Sequence, residues 1–127
     1  MSNQLKTVLL LGLLTGILLG LGFLIGGRTG LTIAFIISLA INFITYWFSG
    51  NIALFMYRAK EADKDKHKKL YSLVNEVSKK ACITMPKVYF INKEYANAFA
   101  TGRNPSNSYV VFTQGILSLL NEDELKG

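Results

Sequence analysis

The sequence predicts an α-helical transmembrane hairpin over residues 1–57, followed by an α+β segment over residues 58–127. The first observation is the charge map: residues 1–57 carry only Lys6 and Arg28 and no acidic residue, whereas residues 58–127 hold twelve Lys/Arg and all eight Asp/Glu. The second is length. Charge-free tracts run from Thr7 to Gly27 (21 residues) and from Thr29 to Tyr57 (29 residues), and about 20 apolar residues cross a ~30 Å hydrocarbon core as a helix. The third is the change of period after residue 65, from a helical apolar stripe to short β-type runs.

The first tract is too long for a signal-peptide core, lacks an A-x-A-like cleavage site and is followed at once by a second tract, so it reads as a membrane helix. A soluble buried hairpin is disfavoured, because 70 further residues offer too little surface to cover both runs. Gly12, Gly16 and Gly20 repeat every four residues, as do Gly22, Gly26 and Gly30. Small residues at that spacing let helices approach closely in lipid, and a packing face is expected here. Gly26 to Gly30 is read as the turn between the spans. In the second tract Ser38, Asn42, Thr45 and Ser49 form one polar stripe, expected to face protein or water because unpaired polar groups in hydrocarbon are costly. Tyr46, Trp47 and Phe48 mark the exit from the bilayer, and Asn51 to Tyr57 continue the helix at headgroup level or beyond. The basic excess after residue 57 places both termini in the cytoplasm and the Arg28 turn outside.

An amphipathic helix is expected over Lys66 to Cys82, its apolar stripe made by Leu70, Leu73, Val74, Val77 and Ala81. It stops before Met85-Pro86, since a residue preceding proline resists helical angles. Strands follow at Lys87–Ile91, at Asn97–Thr101 (closed by Gly102 and an Arg103-Asn104-Pro105 turn) and at Ser108–Thr113. Thr113 caps a short helix through Leu120. Asn121-Glu122-Asp123-Glu124 then has the pattern of a capping box opening another helix. Less than one further turn follows, which reads as a helix begun and not finished.

The net charge of +6 does not indicate a nucleic-acid partner. Arg58, Lys60, Lys64, Lys66, Lys68 and Lys69 cluster just after the second tract, with Glu61, Asp63 and Asp65 among them, and lack the aromatic interleaving of a nucleic-acid face. The positive-inside bias and anionic headgroups explain them; the lipid bilayer is the expected partner. The single cysteine, Cys82, excludes an intrachain disulfide and reads as a small apolar residue near a helix end. His67 lies between two lysines on an expected solvated face, and a catalytic Cys82–His67 pair is not supported.

The order of parts resembles the HtpX-type membrane zinc metalloproteases, relatives of the CAAX prenyl endopeptidases. Matching residues are Asn42-Phe43, Tyr46-Trp47-Phe48-Ser49, Met56-Tyr57, Met85-Pro86-Lys87-Val88-Tyr89, Asn97-Ala98-Phe99-Ala100-Thr101-Gly102-Arg103 and Leu119-Leu120-Asn121 with Glu124-Leu125. The resemblance implies that residues 58–127 are the N-terminal, incomplete part of a cytoplasmic zincin-like metalloprotease domain. It implies a multi-pass protein of the bacterial inner membrane that removes misfolded or damaged membrane proteins, with a role in stress. In that family the helix opened by Asn-x-x-Glu-Leu carries H-E-x-x-H, whose histidines bind one zinc ion and whose glutamate activates water. None of those residues is in this sequence, so no catalytic or metal-ligating residue is assigned. What the resemblance leaves is a substrate strand, Asn97, Ala98, Phe99, Ala100 and Thr101, pairing with substrate by β-augmentation. Phe99 as a core residue of a purely structural strand is the competing reading. The rival for the whole chain is a complete small membrane protein, an anchor or regulator without catalysis.

Overall fold

The computed structural model describes residues 3–127; the chain divides into two units, Met1–Trp47 and Phe48–Gly127. Helix α1, Asn3–Met56, is 54 residues long, and by length and composition it is one helix able to cross a membrane. The expected five-residue turn at Gly26–Gly30 is replaced by a kink at one residue. Gly27 is the residue inside α1 with non-helical dihedrals (φ 55°, ψ −136°), a positive-φ conformation that glycine adopts without the steric cost of a Cβ.

Within the first unit, Asn42 Nδ2 donates to Thr15 Oγ1 at 2.9 Å. In a straight helix these residues would be ~40 Å apart, so the arms on either side of Gly27 meet side chain to side chain. The approach is tightest at Gly22 and Gly30: a Cβ on Gly30 would collide with the Gly22 carbonyl, and one on Gly22 would lie 2.5 Å from Ala34 Cβ. The close approach is thus confined to Gly22 and Gly30, while a Cβ at Gly12, Gly16, Gly20 or Gly26 would meet nothing within 4 Å. The polar stripe is internal only in part. Ser38 is buried and donates to Ala34 O at 2.8 Å, Asn42 is half-buried, and Thr45 is exposed.

The second unit begins with the last turns of α1. Arg58 N–H donates to Phe55 O at 3.1 Å and Ala59 N–H to Leu54 O at 2.9 Å, with Arg58 at φ 52°. This is a Schellman ending, with its usual apolar contact between the flanking residues, Leu54 and Ala59. A two-residue strand β1 (Lys60–Glu61), not anticipated from sequence, opens a four-stranded sheet of order β1-β2-β4-β3, with β2 at Lys87–Ile91, β3 at Ala98–Asn104 and β4 at Asn107–Thr113. The sheet is mixed: β1 is antiparallel to β2, β2 parallel to β4, and β3 antiparallel to β4.

Alternation along the strands divides their side chains between two apolar clusters. Ile91 and Val111, with Tyr89, Tyr109 and Phe99, pack around Leu54 from the end of α1. Tyr109 Oη also donates to Asn51 Oδ1 at 3.1 Å. Val88, Phe90, Val110 and Phe112 pack with Leu70 and Val74 of α2 (Lys68–Lys80). Leu70 and Leu73 are buried, whereas Val77 and Ala81, expected in the same stripe, are exposed. Tyr71 Oη donates to Ala62 O at 2.7 Å, tying α2 to the chain beside β1. Burial, and then the carboxylates of Glu61 and Asp63, push that phenol above its usual value.

Helix α2 ends like α1, Cys82 N–H donating to Lys79 O at 3.2 Å and Ile83 N–H to Ser78 O at 3.1 Å, with Cys82 at φ 54°. Cys82 is exposed, so its position is set by helix termination rather than by apolar burial. His67 is not simply solvated: its ring lies against Phe90, centroids 4.9 Å apart. Thr113 caps α3 (Gln114–Leu119), and Asn121 and Glu124 form the full capping box of α4 (Glu122–Lys126). Glu76 holds α4 to α2 through Lys126 at 3.2 Å while pairing with Lys80 at 3.0 Å.

Candidate functional site: an exposed sheet edge

Strand β3 is longer than the sequence suggests. Gly102 (φ 139°) and a register shift between Gly102 and Asn104 let pairing with β4 continue to Asn104↔Asn107. The reversal lies at Pro105–Ser106, where Asn104 Oδ1 accepts from Asn107 N–H at 2.9 Å. A residue with a Cβ at 102 would collide with the Asn107 carbonyl. The composition Gly-Arg-Asn-Pro signals a turn; the bulge delays it by two residues.

At the other end of β3, Thr113 sets the register. Thr113 N–H donates to Asn97 O at 3.0 Å, and Asn97 N–H donates to Thr113 Oγ1 at 2.9 Å. Main-chain groups alternate direction along an antiparallel ladder. With Asn97 turned toward β4, and with the pairs Ala98↔Phe112 to Thr101↔Tyr109 in register, Phe99 and Thr101 also turn theirs inward. Ala98 and Ala100 turn their N–H and C=O outward. Among the described residues no strand pairs with that side of β3.

Side chains alternate in the same rhythm. Phe99 and Thr101 are half-buried, and the Phe99 ring meets Tyr57 at 4.8 Å between centroids. Ala98 and Ala100 are exposed. Their cross-strand neighbours Phe112 and Val110 help line an open apolar cavity of about 180 Å³, bordered also by Leu70, Val74, Ile83 and Leu125. The arrangement offers an extended chain two free donor–acceptor pairs and no side chain beyond a methyl group on that face. Phe99 meanwhile has the core role.

Among the described residues, no group of three or more His, Cys, Asp and Glu is placed to hold an ion. His67 and Cys82 flank opposite ends of the 13-residue α2, ~20 Å apart. The residue missed by sequence reasoning is Thr113, read only as a helix cap; its tie to Asn97 left no local pattern.

The exposed sheet edge thus lies in a unit that also holds an amphipathic helix and a capped helix start. The family described as "Peptidase family M48" matches residues 64–127, half of the chain, and the chain belongs to that family. At the level of individual proteins it is similar to the "Protease HtpX homolog" of Desulfatibacillum aliphaticivorans, 49% identical over 127 residues, covering 100% of this chain and 41% of the relative. That of Persephonella marina is 50% identical over 125 residues (98% of this chain, 43% of the relative), and that of Methylibium petroleiphilum 45% over 127 residues (100% and 45%). The resemblance to HtpX-type proteases drawn from the sequence therefore holds. The chain spans about two fifths of the length of these curated relatives.

Proposed function

We propose that this chain is the N-terminal part of a zinc-dependent endopeptidase of the inner membrane, acting on misfolded or damaged membrane proteins. It supplies the membrane anchor and the strand that aligns substrate; the zinc ligands and the catalytic glutamate belong to the remainder of the longer protein. In this reading the two arms of α1 each cross the bilayer, with Arg28 outside and both termini cytoplasmic.

The observation that carries the substrate role is the outward aim of the Ala98 and Ala100 main-chain groups on an unpaired, exposed edge. β-Augmentation needs free N–H and C=O groups and low side-chain cover. Support for the membrane role comes from α1 and from the similarity to HtpX-type relatives.

Two measurements test the proposal. Hydrolysis of an unfolded membrane-protein substrate by the longer protein should stop on chelation and return with zinc; hydrolysis unaffected by a chelator would overturn it. A reporter active only outside the cytoplasm, fused after residue 127, should stay silent while one fused at Arg28 is active. The reverse pattern would overturn the orientation.

A further inference from the structure

We propose that residues 55–69 form a headgroup-docking surface that selects anionic phospholipid. The inference rests on the membrane reading above and goes beyond anchoring by α1. Three residues in succession expose apolar or aromatic surface: Phe55 (84%), Met56 (74%) and Tyr57 (48%). Side chains of this kind settle at the boundary between hydrocarbon and headgroups. The next twelve residues contain Arg58, Lys60, Lys64, Lys66, Lys68 and Lys69, all exposed.

Charge on this segment is largely unspent. Among the described residues, Lys69 alone of the six has an ion pair within 4.0 Å, a loose one with Glu122 at 3.7 Å, both side chains well exposed. Lys64 lies over the Tyr71 ring, 6.0 Å from its centroid. Asp63, one of three acidic residues in the run, is engaged locally by Asp65 N–H at 2.9 Å. A net of three positive charges over residues 58–69 follows directly on an apolar helix, which complements an anionic surface.

Arg58 marks the junction of the apolar and basic stretches. It occupies the left-handed position that ends α1 (φ 52°), where glycine is the residue without a steric penalty. An arginine there bears backbone strain, and its cation stands at the point where the apolar helix gives way to the basic run.

The test uses the full chain reconstituted in bilayers of roughly seven parts phosphatidylcholine to three of phosphatidylglycerol, extracted with a lipid-retaining polymer. Retained lipid should be enriched in phosphatidylglycerol by about twofold over the bilayer, and less so at high salt. R58G combined with K60Q, K64Q, K66Q, K68Q and K69Q should abolish the enrichment, while K79Q/K80Q at the far end of α2 should not. R58G alone relieves the positive φ, and a partial loss in that variant with an unchanged thermal midpoint comes from the lost charge rather than from unfolding. Retained lipid matching the bilayer, or equal loss with K79Q/K80Q, would overturn the proposal. So would single-stranded RNA binding to the detergent-solubilised chain with the same charge dependence. Alkaline extraction separates the two levels: protein released from the membrane overturns the anchor reading as well, whereas integrated protein without enrichment overturns the docking surface alone.

Discussion

Thr113 and Asn97 are joined by more than a ladder pair: the threonine N–H donates to the Asn97 carbonyl, and its hydroxyl both accepts from the Asn97 N–H and lies within donating distance (3.1 Å) of the Asn97 carbonyl. The same hydroxyl donates to Tyr95 O at 2.6 Å and accepts from Ile116 N–H at 3.3 Å. One buried side chain, 1% exposed, therefore starts β3, ends β4 and caps α3. Thr113→Val keeps shape but strands the Asn97 donor and the Tyr95 acceptor and removes the cap. It should lower stability by about 2–3 kcal/mol, measured by denaturant unfolding of the detergent-solubilised chain. Thr113→Ser should recover most of the loss.

The close approach of Gly22 and Gly30 separates these two glycines from the others of the two repeats, which look alike in sequence. Gly30→Ala should lower the thermal midpoint in detergent, at a cost of about 1–3 kcal/mol from overpacking. Gly16→Ala, where the added methyl meets nothing within 4 Å, should be neutral or slightly stabilising, because alanine is the better helix former. Equal effects at both positions would refute the contact between the arms.

Cys82 occupies a position suited to glycine. Cys82→Gly removes the αL penalty at the end of α2, and even after the added freedom of the unfolded chain it should stabilise by about 0.5–1 kcal/mol. A loss of stability would mean that the cysteine side chain contributes contacts beyond helix termination.

Glu76 is held below the usual carboxylate value, first by its hydrogen bond to Lys80, then by that to Lys126 and by the charges of both lysines. A depressed folded-state pKa means that the contribution is present above the unfolded value and is lost as pH falls through the lower, folded one. The docking of α4 onto α2 should accordingly loosen only below the ordinary carboxylate range. Glu76→Gln should remove that acid-side dependence, read by amide exchange of residues 122–126 across pH.

How much of this was legible beforehand follows from which forces are local. The apolar stripe of α2, the alternation of Lys87–Ile91 and Ser108–Thr113, and the Asn121–Glu124 box are written in neighbouring residues, and each appears within two residues of its expected place. Strand β1 was not legible, because Lys60 and Glu61 are extended only through pairing with Phe90 and Tyr89. His67 beside two lysines reads as solvent-facing; its place against Phe90 depends on where α2 meets the sheet. For the site, the residues Asn97–Thr101 and their extended state were readable, but the aim of their main-chain groups was not. A change of one residue in register reverses that aim, and the register depends on Thr113, sixteen positions away.

The most direct test of the substrate-strand account is a pair of proline substitutions in the longer protein, scored for zinc content and peptide turnover on the same samples. Ala100→Pro removes an N–H that points away from β4, at an edge position where proline is tolerated. Thr101→Pro removes one that the sheet uses. The account predicts that Ala100→Pro retains its zinc and its fold yet loses most of its turnover, about tenfold or more, whereas Thr101→Pro loses stability, metal and activity together. Full turnover in Ala100→Pro with zinc retained would contradict it, and would leave β3 as scaffold.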